Sequence, residues 1–389
     1  MGFVEGYIPV SYDGTSMFNP IKVGNMQLSH HVVMAPLTRM RVTRQGNVPK
    51  DIMIEYYDQR SRREGSLIIG EAAIISAEAG GYDNIPGVWS GEQLSQWCKI
   101  IGVVHRNKSF IWPQLWALGR ISFPEVLARE GYRFVSPSEE VYIDAEQKNE
   151  AIRCDNRLHG LSKLEMQQYK TDYINCAKKL INIGADGIEL HLAYGCLLNQ
   201  FLDPISNKRL DEYGGSIENR CKFILEIIDG LIIEIGCRRV GIRLSPFDES
   251  GGMSGDNDPT LLSTYMYLIG RLEEQGKMGE RIAYIHLVEP SRNKKLKGIS
   301  NDFIYSIWKG IVIRCGNLIY NSNEAKMYLE KHKNTLIAYG KYFISNPDLV
   351  TRLEKKLLLN KFDESTFYTS NSKGYTDYLT YEEEMKKKK

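Results

Sequence analysis

Three side chains able to donate a proton or a hydrogen bond stand close together in the middle of the chain: His191, Tyr194 and Cys196. An imidazole and a phenol can both donate to an oxygen that gains negative charge. A thiol is a weak donor, although its reference pKa of about 8.5 leaves acid chemistry open. They stand at the end of residues 188–193, a short and mostly apolar run of the kind that forms a buried strand. A polar loop over 203–215 then leads to a helix starting near Ser216. A strand that delivers polar side chains and turns into a long loop is how a parallel α/β barrel presents chemistry.

Other groups end strand-like runs in the same way. Thr38 lies in Pro36-Leu37-Thr38-Arg39-Met40-Arg41 after the first run, Gln114 ends the third and Arg243 the fifth. An amide both donates and accepts. A buried arginine on a strand is costly without an anionic partner, which weakens a purely structural reading of Arg243. Gly316-Asn317 follows the seventh run and Tyr339-Gly340-Lys341 the eighth. Loops in those two places bind phosphate in barrels of this kind, through backbone N–H groups and a cation.

The runs that must position these groups are residues 31–35, 66–75, 110–116, 187–193, 240–246, 282–290, 311–316 and 335–343, each followed by a helical pattern. Eight strands alternating with helices is the count of a TIM (β/α)8 barrel, an α/β fold, and residues 1–389 read as one domain. Residues 1–30, rich in turn formers, predict an N-terminal arm with a small hairpin capping one barrel end. Ser162 and Glu165 form a capping box. Met166, Tyr169, Tyr173, Cys176 and Leu180 then follow at helical spacing, and Gly184 ends that helix. Residues 118–160 form a long β-to-α connection able to fold over the mouth. Residues 291–300 read as a basic, solvated loop, and 382–389 as a charged, fraying tail.

The totals narrow the class. A net charge of +2 gives no pull toward nucleic acid or membrane. Seven cysteines without a C-x-x-C pair argue against a disulfide framework or zinc site and for a reducing compartment. The expectation is a soluble, cytoplasmic protein: there is no secretory pattern, Gly6 breaks the myristoylation motif, and no apolar run is long enough to span a bilayer. A Rossmann fingerprint, a P-loop (Gly276-Lys277 is followed by Met278) and a G-x-S-x-G elbow are all missing, as is a strand-end lysine suited to Schiff-base chemistry.

The runs Leu198-Asn199-Gln200-Phe201-Leu202-Asp203-Pro204 and Asp211-Glu212-Tyr213-Gly214-Gly215-Ser216-Ile217-Glu218-Asn219-Arg220 are long and specific. Through them the chain resembles the Old Yellow Enzyme family of flavin-dependent reductases, over nearly its whole length. The resemblance implies FMN at the C-terminal mouth of the barrel and NADPH as co-substrate. Pro36, Leu37 and Thr38 would line one side of the ring, with the Thr38 hydroxyl near O4 and N5. Gln114 would meet the O2 and N3 edge, and Arg243 would stand beside N1 and O2 and favour the reduced ring. Ala72, where the family commonly has glycine, would offer its N–H while its methyl crowds the ring edge. Gly316, Asn317, Gly340 and Lys341 would hold the phosphate. Ala338-Tyr339-Gly340-Lys341 replaces the usual Gly-Tyr-Gly-Arg, and a lysine keeps the charge but loses the two-pronged fork, which predicts weaker FMN retention.

The resemblance also places a substrate pocket. Tyr82, Trp116, Phe367 and Tyr368 match the aromatic positions that ring it, suited to flat carbonyl compounds, phenols and quinones. NADPH gives a hydride to the flavin and leaves; the substrate then takes that hydride at its β-carbon, while a protein acid protonates the α-carbon. His191 would polarise the substrate carbonyl. The family pairs it with Asn or His where this chain has Tyr194, and uses a tyrosine acid where this chain has Cys196. Tyr194 either supplies a hydroxyl from a shifted position or fills the pocket over the flavin. Cys196 reads as an inert small residue rather than a nucleophile, because no Cys–His pairing is evident. The expected function is an NADPH dehydrogenase that keeps quinones as acceptors and reduces enones slowly. The alternative is a degenerate barrel that binds a flat phenol or steroid without turnover. Relatives are often dimers, which implies a homodimer. The 291–300 loop is shorter than its usual counterpart, which overhangs the site.

Overall fold

Eight parallel strands close into a barrel in the computed structural model, which describes residues 2–387; Met1, Lys388, Lys389 and the side chains of Arg292 and Leu296 lie outside the described residues. A hairpin, β1 (Ile21–Val23) and β2 (Met26–Leu28), precedes the barrel as the turn-rich arm predicts. The barrel strands are β3 (Val32–Met34), β4 (Leu67–Ile74), β5 (Phe110–Trp116), β8 (Ile188–Leu192), β9 (Val240–Leu244), β10 (Tyr284–Val288), β11 (Ile311–Cys315) and β12 (Thr335–Tyr339). They pair in chain order and β12 closes on β3. Each expected run contains one of these strands. Most of the runs overreach the strand because their apolar ends continue into loops that are themselves buried.

The strands are continuous in apolar residues because helices cover the outside while the barrel fills its own centre; every residue of β4, β8 and β9 is buried. Register sets which side chains share a level. His191 on β8 pairs with Arg243 on β9, which pairs with His286 on β10. Gln114 on β5 pairs with Glu189 on β8. The β4–β5 pairing slips by one residue between Gly70 and Ala72. Such a bulge re-aims a side chain near a barrel rim.

The flanking helices start where the caps say. Ser162 accepts from the Glu165 N–H, and the Glu165 carboxylate accepts from the Ser162 N–H, at the head of Lys163–Asn182. Ser216 caps Ile217–Ile235. Each such cap contributes about 1 kcal/mol. The expected stripe Met166, Tyr169, Tyr173, Cys176 and Leu180 is buried against the barrel wall.

Two long segments fold toward the mouth. The 118–160 connection carries helices Pro124–Glu130 and Ala145–Arg153 and a small sheet of β6 (Val135–Ser136) and β7 (His159–Gly160). The buried Arg120 ties it to the loop after β9 by donating to the carbonyls of Val141, Gly251 and Gly252. The C-terminal segment is held by Arg39 and Arg41. Arg39 donates to the carbonyls of Phe367 and Gly374, and Arg41 to those of Phe367, Thr366 and Asn371. Both guanidiniums also lie over the Tyr375 ring.

Two expectations are corrected. The 291–300 segment is not simply a solvated loop: it holds a helix, Arg292–Leu296, and two of its lysines are pinned, while Lys297 is exposed. Lys294 pairs with Glu249 and Asp256, and Lys295 with Glu289 and Glu324, so carboxylates on three neighbouring segments draw the basic run inward. The expected fraying tail is helical over Tyr381–Lys387, with the Arg352 guanidinium 5.5 Å from the Tyr381 ring centre. Its last two residues lie outside the described residues.

Candidate active site

A cavity of about 1030 Å³ opens at the C-terminal ends of the strands. It gathers every residue that the sequence singles out: Pro36, Leu37, Thr38, Ala72, Tyr82, Gln114, Trp116, His191, Tyr194, Cys196, Arg243, Gly316, Asn317, Gly340, Lys341, Phe367 and Tyr368 all line it. They come from seven strand ends and the C-terminal segment. The topology therefore does what periodicity alone cannot, converging distant residues at one mouth.

His191 lies flat against Trp116, with ring centres 5.8 Å apart and planes 15° from parallel. Its Nδ1 is buried without a partner in the chain. Burial, then the neighbouring Arg243 and His286, hold the imidazole well below its ordinary pKa. His191 is therefore neutral and carries one N–H. Such a ring donates to a carbonyl oxygen without surrendering a permanent positive charge.

Tyr194 meets His191 edge-on at 6.1 Å and lies over Arg243 at 5.3 Å. Burial pushes its phenol up to about 12, so it stays protonated at neutral pH. Its backbone sits in the left-handed region at φ +55°, uncommon for a bulky residue, and its N–H donates to the Ser245 hydroxyl. Gly195 follows at φ +73°; a side chain there would drive into the Ser250 carbonyl, 2.6 Å away. This tight turn, not pocket chemistry, requires the glycine.

Cys196 heads helix Leu197–Leu202 and is 1 % exposed. Its side chain packs with Ala72, Ile74, Trp116 and Leu118. Burial pushes its thiol far up, so it is an apolar filler and a poor acid. Tyr82 donates to the Ile121 carbonyl at 2.8 Å and packs on Trp116 and Phe123, so its hydroxyl is already spent. Phe367, in the C-terminal segment, is buried, while Tyr368 is 65 % exposed and belongs to the rim.

The polar wall is Gln114 and Arg243. Gln114 donates to Glu189 at 2.7 Å, which leaves its oxygen and second N–H for a ligand. Arg243 is buried and, among the described residues, makes no ion pair; its Nη2 lies 3.7 Å from the Cys315 sulfur and its Nε has no partner in the chain. Nε1 of Trp116 is likewise unpartnered. Two orphaned donors and the unpartnered Nδ1 of His191 border one cavity and fit a planar ring with polar atoms on its edge, and FMN is such a ring. At the far end, Gly316, Asn317 and Gly340 line the cavity at the ends of β11 and β12. Lys341 does not point there alone: it pairs with Glu364 at 3.3 Å, both largely exposed.

Sequence reasoning missed Glu189, His286, Cys315, Tyr320, Tyr342 and Glu364. Glu189 and His286 sit inside apolar strand runs, where the period-two pattern offered the one available signal. Tyr320 and Tyr342 share a hydroxyl contact at the phosphate end. Glu364 lies in a loop without pattern.

A closed parallel barrel with an electron-poor, donor-rich mouth and a cavity this size is the architecture of a flavin-binding oxidoreductase. Residues 16–360 match the NADH:flavin oxidoreductase / NADH oxidase family. The chain is 52 % identical to Enoate reductase 1 of Kluyveromyces lactis, over 100 % of this chain and 99 % of that one. It is 38 % identical to a probable NADPH dehydrogenase of Candida albicans, over 95 % and 92 % of the two chains. The crystal structure of Old Yellow Enzyme from a Pichia species superposes with a TM-score of 0.91 at 36 % identity, covering 95 % of both chains. The chain belongs to this family. It is an FMN-dependent NAD(P)H oxidoreductase of the Old Yellow Enzyme type.

Among the described residues no helix is long and apolar enough to cross a membrane, and all seven cysteines are free.

Proposed function

We propose that the protein takes hydride from NADPH onto FMN and passes it to quinones and, more slowly, to α,β-unsaturated carbonyls. FMN, when bound, supplies a two-electron hydride carrier. Pro36, Leu37, Thr38 and Ala72 would lie along the ring, Gln114 and Arg243 would bond its pyrimidine edge, and Gly316, Asn317, Gly340 and Lys341 would take its phosphate. Trp116, Tyr82, Phe367 and Tyr368 would wall the substrate, excluding water from the reacting face. His191 would donate to the substrate oxygen, stabilising the charge that grows there.

One observation carries the altered specificity: the Cys196 thiol is packed among apolar side chains and pushed far above its ordinary pKa. A carbon acceptor needs a proton delivered at its α-carbon, and Cys196 is the wrong acid for it. Quinones take their protons on oxygen, from solvent, while the neutral His191 only hydrogen-bonds that oxygen. The Tyr194 hydroxyl remains the one phenol beside His191 able to donate. The compartment that suits seven free thiols is the cytoplasm. A homodimer is the assembly we expect from the family.

A second reading, a barrel that binds FMN or a flat phenol or steroid without turnover, is favoured by Lys341 being drawn to Glu364. Anaerobic titration of the FMN-loaded protein with NADPH decides between them. Stoichiometric bleaching of the flavin absorbance supports the oxidoreductase; an unbleached yellow protein supports the binder.

A further inference from the structure

Behind the wall formed by Gln114, His191 and Arg243 lies a buried carboxylate that the reaction above leaves unused. Glu189 precedes His191 by two positions on β8, so both side chains project to the same side of the sheet. It is completely enclosed. One oxygen accepts from Gln114 Nε2 at 2.7 Å; the other lies 2.9 Å from Nδ1 of His286, itself completely enclosed. His286 is in register with Arg243, and the Arg243 guanidinium reaches the Cys315 sulfur. Five adjacent strands thus contribute one polar side chain each to a continuous buried cluster.

We propose that Glu189 and His286 form an ion pair that positions the wall: the carboxylate fixes the Gln114 amide in one orientation, and the imidazolium places a second positive charge behind Arg243. Neither group touches substrate or ring, so both are positioning residues. The inference rests on the flavin reading given above.

Two physical arguments support it. An amide can turn over and exchange its oxygen for its nitrogen. A carboxylate can only accept, so Glu189 takes the Gln114 N–H and obliges the amide to present its oxygen elsewhere, toward the cavity. A carboxylate this deeply buried also needs a cation. Among the described residues, His286 is the one group within ion-pair distance of it. Burial opposes the imidazolium, and Arg243 adds to that, but the charge and hydrogen bond of Glu189 together with the Cys315 sulfur hold His286 above its ordinary pKa. Tyr284, which also faces the carboxylate, is pushed far up and stays neutral. A cation behind Arg243 favours a ring that has gained electrons over one that has not.

The experiment uses the full chain loaded with FMN and reads the midpoint potential of the bound flavin. His286→Gln keeps a hydrogen bond to Glu189 but removes the charge. We expect reduced FMN to lose roughly tenfold in binding relative to oxidised FMN, a fall of about 30 mV for a two-electron couple. In the double variant His286→Gln/Glu189→Gln both charges are gone, and most of that fall is recovered. An unmoved potential in His286→Gln, or a double variant no better than the single, overturns the proposal, because a purely structural role predicts additive damage. Nitrogen NMR of the unaltered holoprotein reads the same pair without mutation. With exposed His105 replaced by Gln, one histidine should keep protons on both ring nitrogens at pH 8; a spectrum without one overturns the ion pair even if the variants fail to fold. A chain that takes up no FMN would instead sink the flavin reading, and the tuning role with it.

Discussion

The guanidinium carbon of Arg243 lies 5.3 Å from the centre of the Tyr194 ring, and the same ring meets His191 edge-on. Tyr194 is thus wedged between the cation of the cofactor wall and the donor of the substrate site. It holds this place at φ +55°, a region that costs a bulky side chain about 1 kcal/mol and an asparagine less. Tyr194→Asn should therefore raise the stability by up to about 1 kcal/mol and speed enone reduction, since a second amide donor beside His191 would meet the carbonyl. Tyr194→Phe keeps the packing and removes the hydroxyl alone. Chemical unfolding and flavin reoxidation by cyclohexenone check both; an enone rate unchanged in Tyr194→Asn would show that the ring fills space and nothing more.

Lys341 and Glu364 face each other at the phosphate end, each more than half exposed. An exposed pair of this kind is worth about 0–1 kcal/mol, up to roughly a fivefold change in an equilibrium. Glu364→Gln should free Lys341 for the phosphate, remove a nearby negative charge, and tighten FMN by about that factor. Lys341→Arg should tighten it as well, through a two-pronged contact. Fluorescence quenching of free FMN measures the effect. Weaker binding in Glu364→Gln would place Lys341 outside the phosphate site.

Glu71 precedes Ala72 on β4 and is 1 % exposed. Burial raises its carboxyl to about 7, against bonds and charges from Arg39 and Arg41 that pull it down. A raised carboxyl stabilises the fold fully below about pH 4.5, and that contribution is lost as pH rises through 7; the change is about 3 kcal/mol. His30 does the reverse. Its Nδ1 accepts from the Val32 N–H and its Nε2 donates to the Ser66 hydroxyl, which fixes the neutral ring. Burial lowers it to about 4, so its contribution is present above pH 6.5 and lost as pH falls through 4. The two slopes oppose each other between pH 4.5 and 6.5. Urea unfolding of Glu71→Gln should expose the His30 slope, with stability rising across that window; a profile parallel to the parent's would contradict the assignment.

The sequence already carried the strands, because a barrel filled by its own side chains demands unbroken apolar runs, and it carried the caps at Ser162 and Ser216 because their partners are local. His191, Gln114 and Arg243 were legible as polar residues ending such runs. Glu189 and His286 were not, since a polar residue inside an apolar run gives no sign of the partner two strands away. Lys294 and Lys295 looked like a solvated basic loop for the same reason: Glu249, Asp256, Glu289 and Glu324 are distant in sequence. The direction of the Tyr194 ring depends on a positive φ that residue types alone do not set.

The central claim is that this site passes hydride to quinones but lacks the acid for carbon acceptors. Stopped-flow reoxidation of the NADPH-reduced protein tests it most directly, with a quinone and with cyclohexenone at equal concentration. The expected result is reoxidation by the quinone at least tenfold faster, a barrier difference of about 1.4 kcal/mol. Equal, fast reoxidation by both acceptors would contradict it.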